Sequence, residues 1–263
     1  MQMTLYVPGE FRPARFVQRL NRFVAQVEID GAVLEAHVPT SGRLGELLLP
    51  GAPVQVRKGT GSKRKTAWDL MLVKTGDTWV SLDSRLPNYL VGQLLAGGHE
   101  LPPFAGARDI KAEYVFGESR LDFAFTDGDG QRTLVEVKSV TLVEEGVAMF
   151  PDAPTSRGAR HLRELAQAVG EGYRAAVLFI VQRDDATEFA PNWRTDPAFA
   201  QALAEAEAAG VEIYAWKCKA EANALACDIG DASFCRRKCD IGDASFCRRK
   251  ECSYGLPIIL RRR

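Results

Sequence analysis

The chain has 263 residues, 46% hydrophobic and 26% charged, with 34 basic side chains matched by 34 acidic ones. This composition excludes extensive disorder, collagen-like repetition and low complexity over most of the length, and it suits one large or two modest domains. The zero net charge hides an uneven distribution: residues 1–85 carry 12 basic and 8 acidic side chains, residues 86–216 carry 11 and 20, and residues 217–263 carry 11 and 6. A basic end can meet a polyanion and an acidic middle can hold a cation, although scatter over solvated faces gives the same numbers. No run of about 18 apolar residues occurs, which excludes a transmembrane helix. The opening MQMTLYVPGEFRPARF lacks the apolar stretch of a secretion signal. The expectation is a cytoplasmic protein with no membrane partner.

In chain order, residues 16–29 alternate in part between apolar and polar, Ile29-Asp30-Gly31-Ala32 supplies a turn, and Val33–Val38 resumes the alternation. Gly42–Leu49 reads as a short helical turn closed by Pro50-Gly51, and Val54–Val56 as another strand. After a basic loop, Trp68–Val73 and Trp79–Leu82 complete about five short strands over residues 1–85, which suits a small barrel such as the OB-fold, or a sandwich. Leu86-Pro87-Asn88 marks a boundary. A helix over 89–96 follows, stopped by Gly97-Gly98, and Leu101-Pro102-Pro103 reads as a linker. Strands are then predicted at 111–116, 120–126, 132–139, 175–182 and 211–216, and helices at 157–169 and 197–209. Pro257–Leu260 is a candidate partner for the last strand. The order predicts a mixed α/β domain around one sheet over residues 86–220.

Residues 221–263 form an atypical tail. All six cysteines, Cys218, Cys227, Cys235, Cys239, Cys247 and Cys252, follow residue 217, and the unit CDIGDASFCRRK occurs twice in tandem at 227–238 and 239–250. A disulfide scaffold would spread its cysteines through the core, and identical short copies are not a solenoid. The cysteine spacing does not suit structural zinc, nor the aspartate spacing a calcium loop. Free or redox-labile thiols in a poorly folding segment are expected, with Arg236–Lys238 and Arg248–Lys250 adding nonspecific affinity for nucleic acid.

The informative stretch is Ser119-Arg120-Leu121-Asp122-Phe123, then Leu134-Val135-Glu136-Val137-Lys138-Ser139, separated by the turn signal Asp127-Gly128-Asp129-Gly130. A hairpin centred on Asp129 sets Asp122 opposite Glu136, and side-chain alternation then puts Lys138 on the same face, with Phe123, Phe125, Val135 and Val137 on the other. Carboxylates opposed in this way repel, and a hard divalent cation is the natural compensation. Mg²⁺ held by Asp122, Glu136 and the Val137 carbonyl would let Lys138 orient or deprotonate a water for attack on a phosphodiester. The same residues also fit a surface hairpin in which Lys138 simply pairs Glu136.

Asp122 followed by Glu136-Val137-Lys138 resembles the metal-binding core of the PD-(D/E)xK nuclease superfamily. The segments AHVPTSGRL (36–44), SRLDF (119–123), EVKSVTL (136–142), FPDAPTSRGARHLREL (150–165) and LFIVQRDD (178–185) are similar, in order and across residues 11–216, to the sugar fermentation stimulation protein (SfsA) family. That resemblance implies an N-terminal OB-fold joined to a PD-(D/E)xK nuclease-like α/β domain. It also implies binding to DNA without clear sequence preference and a traditional role in regulating sugar use, maltose in particular. Asp122, Glu136 and Lys138 become the implied metal and catalytic set, Glu113 on the preceding strand a further acidic member, and Thr155, Arg157 and His161 contributions from the next helix. Val38 and Thr40 stand where the family shows a cysteine and an asparagine, while Gly42 and Arg43 remain. The segment 221–250 has no counterpart.

On that helix Leu162, Leu165, Ala166 and Val169 form the apolar stripe, leaving Arg157, Arg160, His161 and Glu164 elsewhere on the circumference. An Arg or His there can meet a phosphate; the bland alternative for His161 is a surface pair with Glu164. Arg57-Lys58-Gly59-Thr60-Gly61-Ser62-Lys63-Arg64-Lys65 places five cations in nine residues, a loop suited to phosphate neutralisation or merely to solvation. With Arg43 these cations are the candidate nucleic-acid contacts of the barrel. No Walker pattern supports a nucleotide cofactor, and no helix-turn-helix pattern supports operator recognition. The expected function is DNA binding with Mg²⁺- or Mn²⁺-dependent phosphodiester hydrolysis. The alternative is a non-catalytic DNA-binding regulator on a silent nuclease fold.

Overall fold

The first 81 residues contribute to two different sheets. In the computed structural model, which describes residues 2–61, 64–98, 104–229 and 258–259, β1 (Gln2–Tyr6) stands apart from β2 (Phe11–Asn21), β3 (Val24–Ile29), β4 (Ala32–His37), β5 (Pro53–Lys58), β6 (Trp68–Thr75) and β7 (Thr78–Ser81). The last six form one sheet in the order β4-β3-β2-β5-β6-β7, and a parallel contact of β4 with β6 at Ala36–Trp68 and His37–Asp69 closes five of them into a barrel. This is the OB-type closure that the strand count suggested. The stretch 16–29 is two strands rather than one, because Asn21 accepts the Phe23 N–H through its side chain and reverses the chain. Phe16, Ala25, Val27, Ala36, Val54, Val56, Leu70 and Val80 fill the barrel, inward-facing positions of alternating strands.

The α/β domain opens with α1 (Leu86–Ala96), which starts three residues before the predicted helix. Pro87 is no obstacle there, since a first-turn N–H has no partner within the helix. β8 (Arg108–Phe116), β9 (Ser119–Thr126), β10 (Arg132–Val140), β11 (Leu142–Glu144), β12 (Val147–Phe150), α2 (Ser156–Gly170), β13 (Arg174–Val181), β14 (Glu188–Pro191), α3 (Pro197–Ala208), β15 (Glu212–Glu221) and β16 (Ala224–Asp228) follow. The main sheet runs β1-β16-β15-β13-β10-β9-β8, with β10, β13 and β15 parallel. β13, Arg174-Ala-Ala-Val-Leu-Phe-Ile-Val181, is apolar on both faces because both are covered. Leu90, Val91, Leu94 and Leu95 of α1 pack on one face with Phe104 and Trp216. Leu162, Leu165 and Ala168 of α2 and Phe199, Ala202 and Leu203 of α3 pack on the other.

Several expected boundaries move. Residues 2–6, expected in the 1–85 barrel domain, form the edge of the α/β sheet, and 224–228, expected in the tail, lie between β1 and β15. The burial of Leu5, Val7, Leu225 and Ile229 in the α1-side core holds both there. Cys218 and Cys227 face each other across β15 and β16 and form a disulfide, where the sequence suggests free or redox-labile thiols. Ile258 pairs in parallel with Phe189 of β14, not with β15, whose free edge β16 takes. The small sheet β11-β12-β14 had no clear sequence signal. The linker 101–103, Lys63 and residues 230–257, with Cys235, Cys239, Cys247 and Cys252, lie outside the described residues. Among the described residues, no helix is long and apolar enough to cross a membrane.

Candidate metal and nucleic-acid site

The turn between β9 and β10 is set by Asp127, whose Oδ1 accepts the N–H groups of Asp129 at 3.1 Å and Gln131 at 2.9 Å. The ladder runs from Arg132–Thr126 to Val135–Phe123 and ends there. One step further, where Asp122 stands opposite Glu136, a side chain replaces the backbone pairing: Asp122 Oδ2 accepts the Val137 N–H at 2.8 Å. Its Oδ1 accepts from the Asn88 amide of α1 at 2.7 Å. A residue's N–H and C=O leave an extended strand on the same side, so the Val137 carbonyl faces the side on which Asp122 lies. Phe123, Phe125, Val135 and Val137 go into the α1-side core, as alternation predicted.

Glu136 is 4% exposed. Its Oε1 accepts from Lys138 Nζ at 2.5 Å and from His161 Nδ1 at 2.5 Å, whereas its buried Oε2 has no partner among the described residues. Arg157 Nε donates to His161 Nε2 at 3.2 Å. That nitrogen is therefore an acceptor, and the ring proton sits on Nδ1, pointed at Glu136. Burial, and next the charge of Glu136, push the Asp122 carboxyl up to about 6, against the Val137 N–H, Lys138 and Asn88. Burial would raise Glu136 as well, but Lys138 and His161 hold it below the usual carboxylate range. Two adjoining carboxylates, one with an unsatisfied buried oxygen, are the oxygen-rich surroundings a hard cation takes.

Asp122, Glu136, Lys138 and His161 are thus brought together. His161 is buried at 1% exposure and not paired with Glu164 at the surface. Glu164 is buried too and caps the β8–β9 turn by accepting the Glu118 N–H. Glu113 does not join the centre. It sits beside Asp122 in the β8–β9 register but is exposed and paired with Arg120 at 2.6 Å. Among the described residues, no third carboxylate, histidine or cysteine makes a metal-type cluster with the pair. Arg157 and Arg160 are exposed on α2, with Arg160 Nε donating to Ser119 Oγ.

The basic loop is less available than its composition suggested. Arg57 and Arg64 both bond the buried Asp69, which also faces His37. Burial would raise Asp69, and hydrogen bonds from Arg57 and Arg64 more than offset it. Lys58 reaches Glu10 at 3.5 Å, and Lys65 remains exposed. Three contributors escaped sequence reading. Asn88 has only the helix-start signal around it. Arg19 lies in an alternating strand, yet its guanidinium binds the carbonyls of Asn21, Arg22, Gly42 and Arg43 and clips the barrel segment 40–43 in place. Asp152 accepts the Arg43 N–H at 2.7 Å, bridging the two domains. A Cβ on Gly42 would stand 2.8 Å from that carboxylate, so glycine is what admits the bridge.

Between the domains lies a cleft of about 320 Å³, walled by Thr40–Gly42, floored by Val137–Leu142 and closed by Met149–Thr155. Lys138 belongs both to it and to the carboxylate centre. The barrel is fastened beside it through Gln182, whose amide accepts from Ser81 Oγ and donates to Ser139 Oγ.

Known proteins share this organisation. The chain matches the SfsA N-terminal OB domain over residues 17–82 and the sugar fermentation stimulation protein RE domain over residues 85–224. A sugar fermentation stimulation protein homolog of Desulforamulus reducens is 51% identical over 219 residues, covering 82% of this chain and 89% of that one. The homolog of Symbiobacterium thermophilum is 52% identical over 218 residues, covering 77% and 86%. The structure of Pyrococcus furiosus SfsA in complex with Ca²⁺ aligns with a TM-score of 0.77 at 34% identity, covering 85% of this chain and 95% of that one. With both domains matched in order and about half the residues identical across most of the length, this chain belongs to the sugar fermentation stimulation protein family.

Proposed function

We propose that the protein binds DNA, largely through its backbone, and that Asp122, Glu136 and Lys138 form a divalent-cation-dependent phosphodiesterase centre. The observation that carries this reading is the buried Glu136 Oε2, without a partner among the described residues, beside Asp122, a carboxyl whose ionisation the fold opposes. Asp122, Glu136 and the Val137 carbonyl are the groups that would hold the cation. Mg²⁺ or Mn²⁺ suits such oxygen donors, and the related Pyrococcus furiosus protein was solved with Ca²⁺, another oxygen-seeking ion. When bound, the cation supplies Lewis-acid stabilisation of charge on the phosphoryl oxygens.

The chain's own residues have distinct tasks. Lys138, held on Glu136 Oε1, orients the attacking water and faces the charge that develops on the phosphate. His161 acts through Glu136 as a positioning residue, because both its ring nitrogens are already bonded. Arg157, Arg160, Arg43, Lys58 and Lys65 are exposed cations that can meet backbone phosphates, so affinity falls steeply with salt.

The test is incubation of the protein with single-stranded DNA, duplex DNA and RNA in Mg²⁺ or Mn²⁺, beside Glu136→Gln and Lys138→Ala. Metal-dependent cleavage is expected, reduced at least about a hundredfold in each variant. Salt-sensitive binding without cleavage in either metal would leave a non-catalytic DNA-binding regulator. No binding to any strand would end both readings.

A further inference from the structure

We infer that the interdomain cleft is a pocket for one unpaired nucleotide beside the scissile phosphate, and that it selects bases carrying an amino group. This rests on the DNA reading above and adds a strand form and a base preference to it. The volume of about 320 Å³ lies at the small end of ligand sites, on the scale of one nucleotide. Its position follows from Lys138: a nucleotide seated on the Val137–Thr141 floor places its own phosphate next to the carboxylate pair.

The lining matches an unstacked base. Phe150 has its back packed on Phe179 and Phe199, at ring distances of 5.6 and 5.1 Å, and also lines the cleft. A ring fixed in this way is a stacking platform that any base can use. The hydroxyls of Ser41 and Thr141, which make no hydrogen bond among the described residues, can donate or accept, while those of Thr40, Ser84 and Ser139 are partly engaged by the Gly42 N–H, the Pro39 carbonyl and Gln182. Asp152 is the discriminating group. Its Oδ2 is engaged by the Arg43 N–H, and its Oδ1 takes no hydrogen bond among the described residues. A carboxylate is an acceptor only, so it favours the exocyclic amines of cytosine, adenine and guanine over thymine, whose one N3–H lies between two carbonyls that a carboxylate repels. In a duplex one hydrogen of each such amine is bonded to the partner base, and a site on the scale of one nucleotide admits the whole base edge only when the base is unpaired. The wall is preformed, since Arg19 bonds the Gly42 and Arg43 carbonyls as well as those of Asn21 and Arg22, and so ties the segment 40–43 to the β2–β3 turn before any ligand arrives.

The experiment is fluorescence anisotropy on the full chain with homopolymer dA, dC and dT strands of about 20 nucleotides and a blunt duplex. Ser41→Trp, at an exposed lining position, fills the mouth. Asp152→Asn keeps an acceptor for Arg43 and adds a donor. The wild type is expected to hold dC and dA about tenfold more tightly than dT and duplex. Ser41→Trp should bring every strand to the duplex affinity with an unchanged Tm. Asp152→Asn should abolish or reverse the preference against dT. Equal, salt-sensitive affinity for all strands and duplex, unaffected by Ser41→Trp, would overturn the pocket and leave the DNA reading intact. No affinity for any of them would overturn both.

Discussion

Asp122 and Glu136 share the same buried ground and ionise differently. Glu136 has Lys138 and His161 on one oxygen, whereas Asp122 is bonded by two uncharged donors, the Val137 N–H and the Asn88 amide. The folded-state value of Asp122, about 6, lies above its ordinary 3.8, so the fold prefers the protonated form. Its penalty is absent below the unfolded value and fully present above about pH 6, where it costs on the order of 3 kcal/mol. Asp122→Asn is therefore expected to raise the free energy of unfolding at pH 8 without divalent cations, and to change it little at pH 4. Asn88 can turn its amide to suit the new side chain. Urea denaturation in EDTA at the two pH values checks this, and an equal gain at both would show that ionisation is not the cause.

The helix that brings His161 to Glu136 depends on a shared cap. Thr155 Oγ1 accepts the Gly158 N–H at 3.0 Å and starts α2, while Asp196 Oδ1 accepts the Phe199 N–H at 2.9 Å and starts α3. The second Asp196 oxygen accepts the Thr155 N–H at 2.7 Å, so one carboxylate fixes both helix starts. Gly158 lets the two helices approach: a Cβ there would stand 2.8 Å from Thr155 Cγ2 and 3.2 Å from Phe199 Cδ2. Asp196→Ala is expected to destabilise the protein by about 2–4 kcal/mol, adding a lost cap to an unpaired buried N–H. Asp196→Asn should recover part of that in the same denaturation experiment. The packing of α2 against both the sheet and α3 also explains its wide buried arc. Gly158, His161, Glu164 and Ala168 join Leu162 and Leu165 in the interior, beyond the apolar stripe that the helical period picks out.

At the scale of the molecule, the two domains are interlocked by chain crossing as well as by contact. β1 precedes the barrel in sequence and completes the sheet of the other domain, pairing Gln2–Tyr6 with Ala224–Asp228. Ser81 of the barrel donates its N–H to the Gln182 carbonyl at 3.0 Å and its hydroxyl to the Gln182 amide, close to the strand that carries Lys138. Deleting residues 1–7 removes Leu5 and Val7 from the α1-side core and leaves β16 as a bare edge. Burying two aliphatic side chains is worth about 3–6 kcal/mol, a large part of a typical domain's total stability. The truncated chain should melt far lower or aggregate, in a thermal scan with light scattering. An unchanged Tm would mean that β1 is not part of the cooperative unit.

The amino-acid sequence by itself determined the β9–β10 hairpin, its register about Asp129, the bounds of α2 and α3 within a residue or so, and the two-part order of barrel and α/β domain. These follow from alternation, helical period and turn chemistry, which act between residues close along the chain. It also placed Asp122, Glu136 and Lys138 on one spot, since the register alone puts them there. Only the tertiary structure decided that His161 is buried on Glu136, that Glu136 Oε2 has no partner among the described residues, and that Arg57 and Arg64 are drawn inward to Asp69. The same holds for β1 joining the far sheet and for Asp152 meeting the Arg43 N–H across 109 positions. Burial and ionic pairing are properties of packing: the solvation of a charge, and the partner it finds, depend on which distant segments close over it.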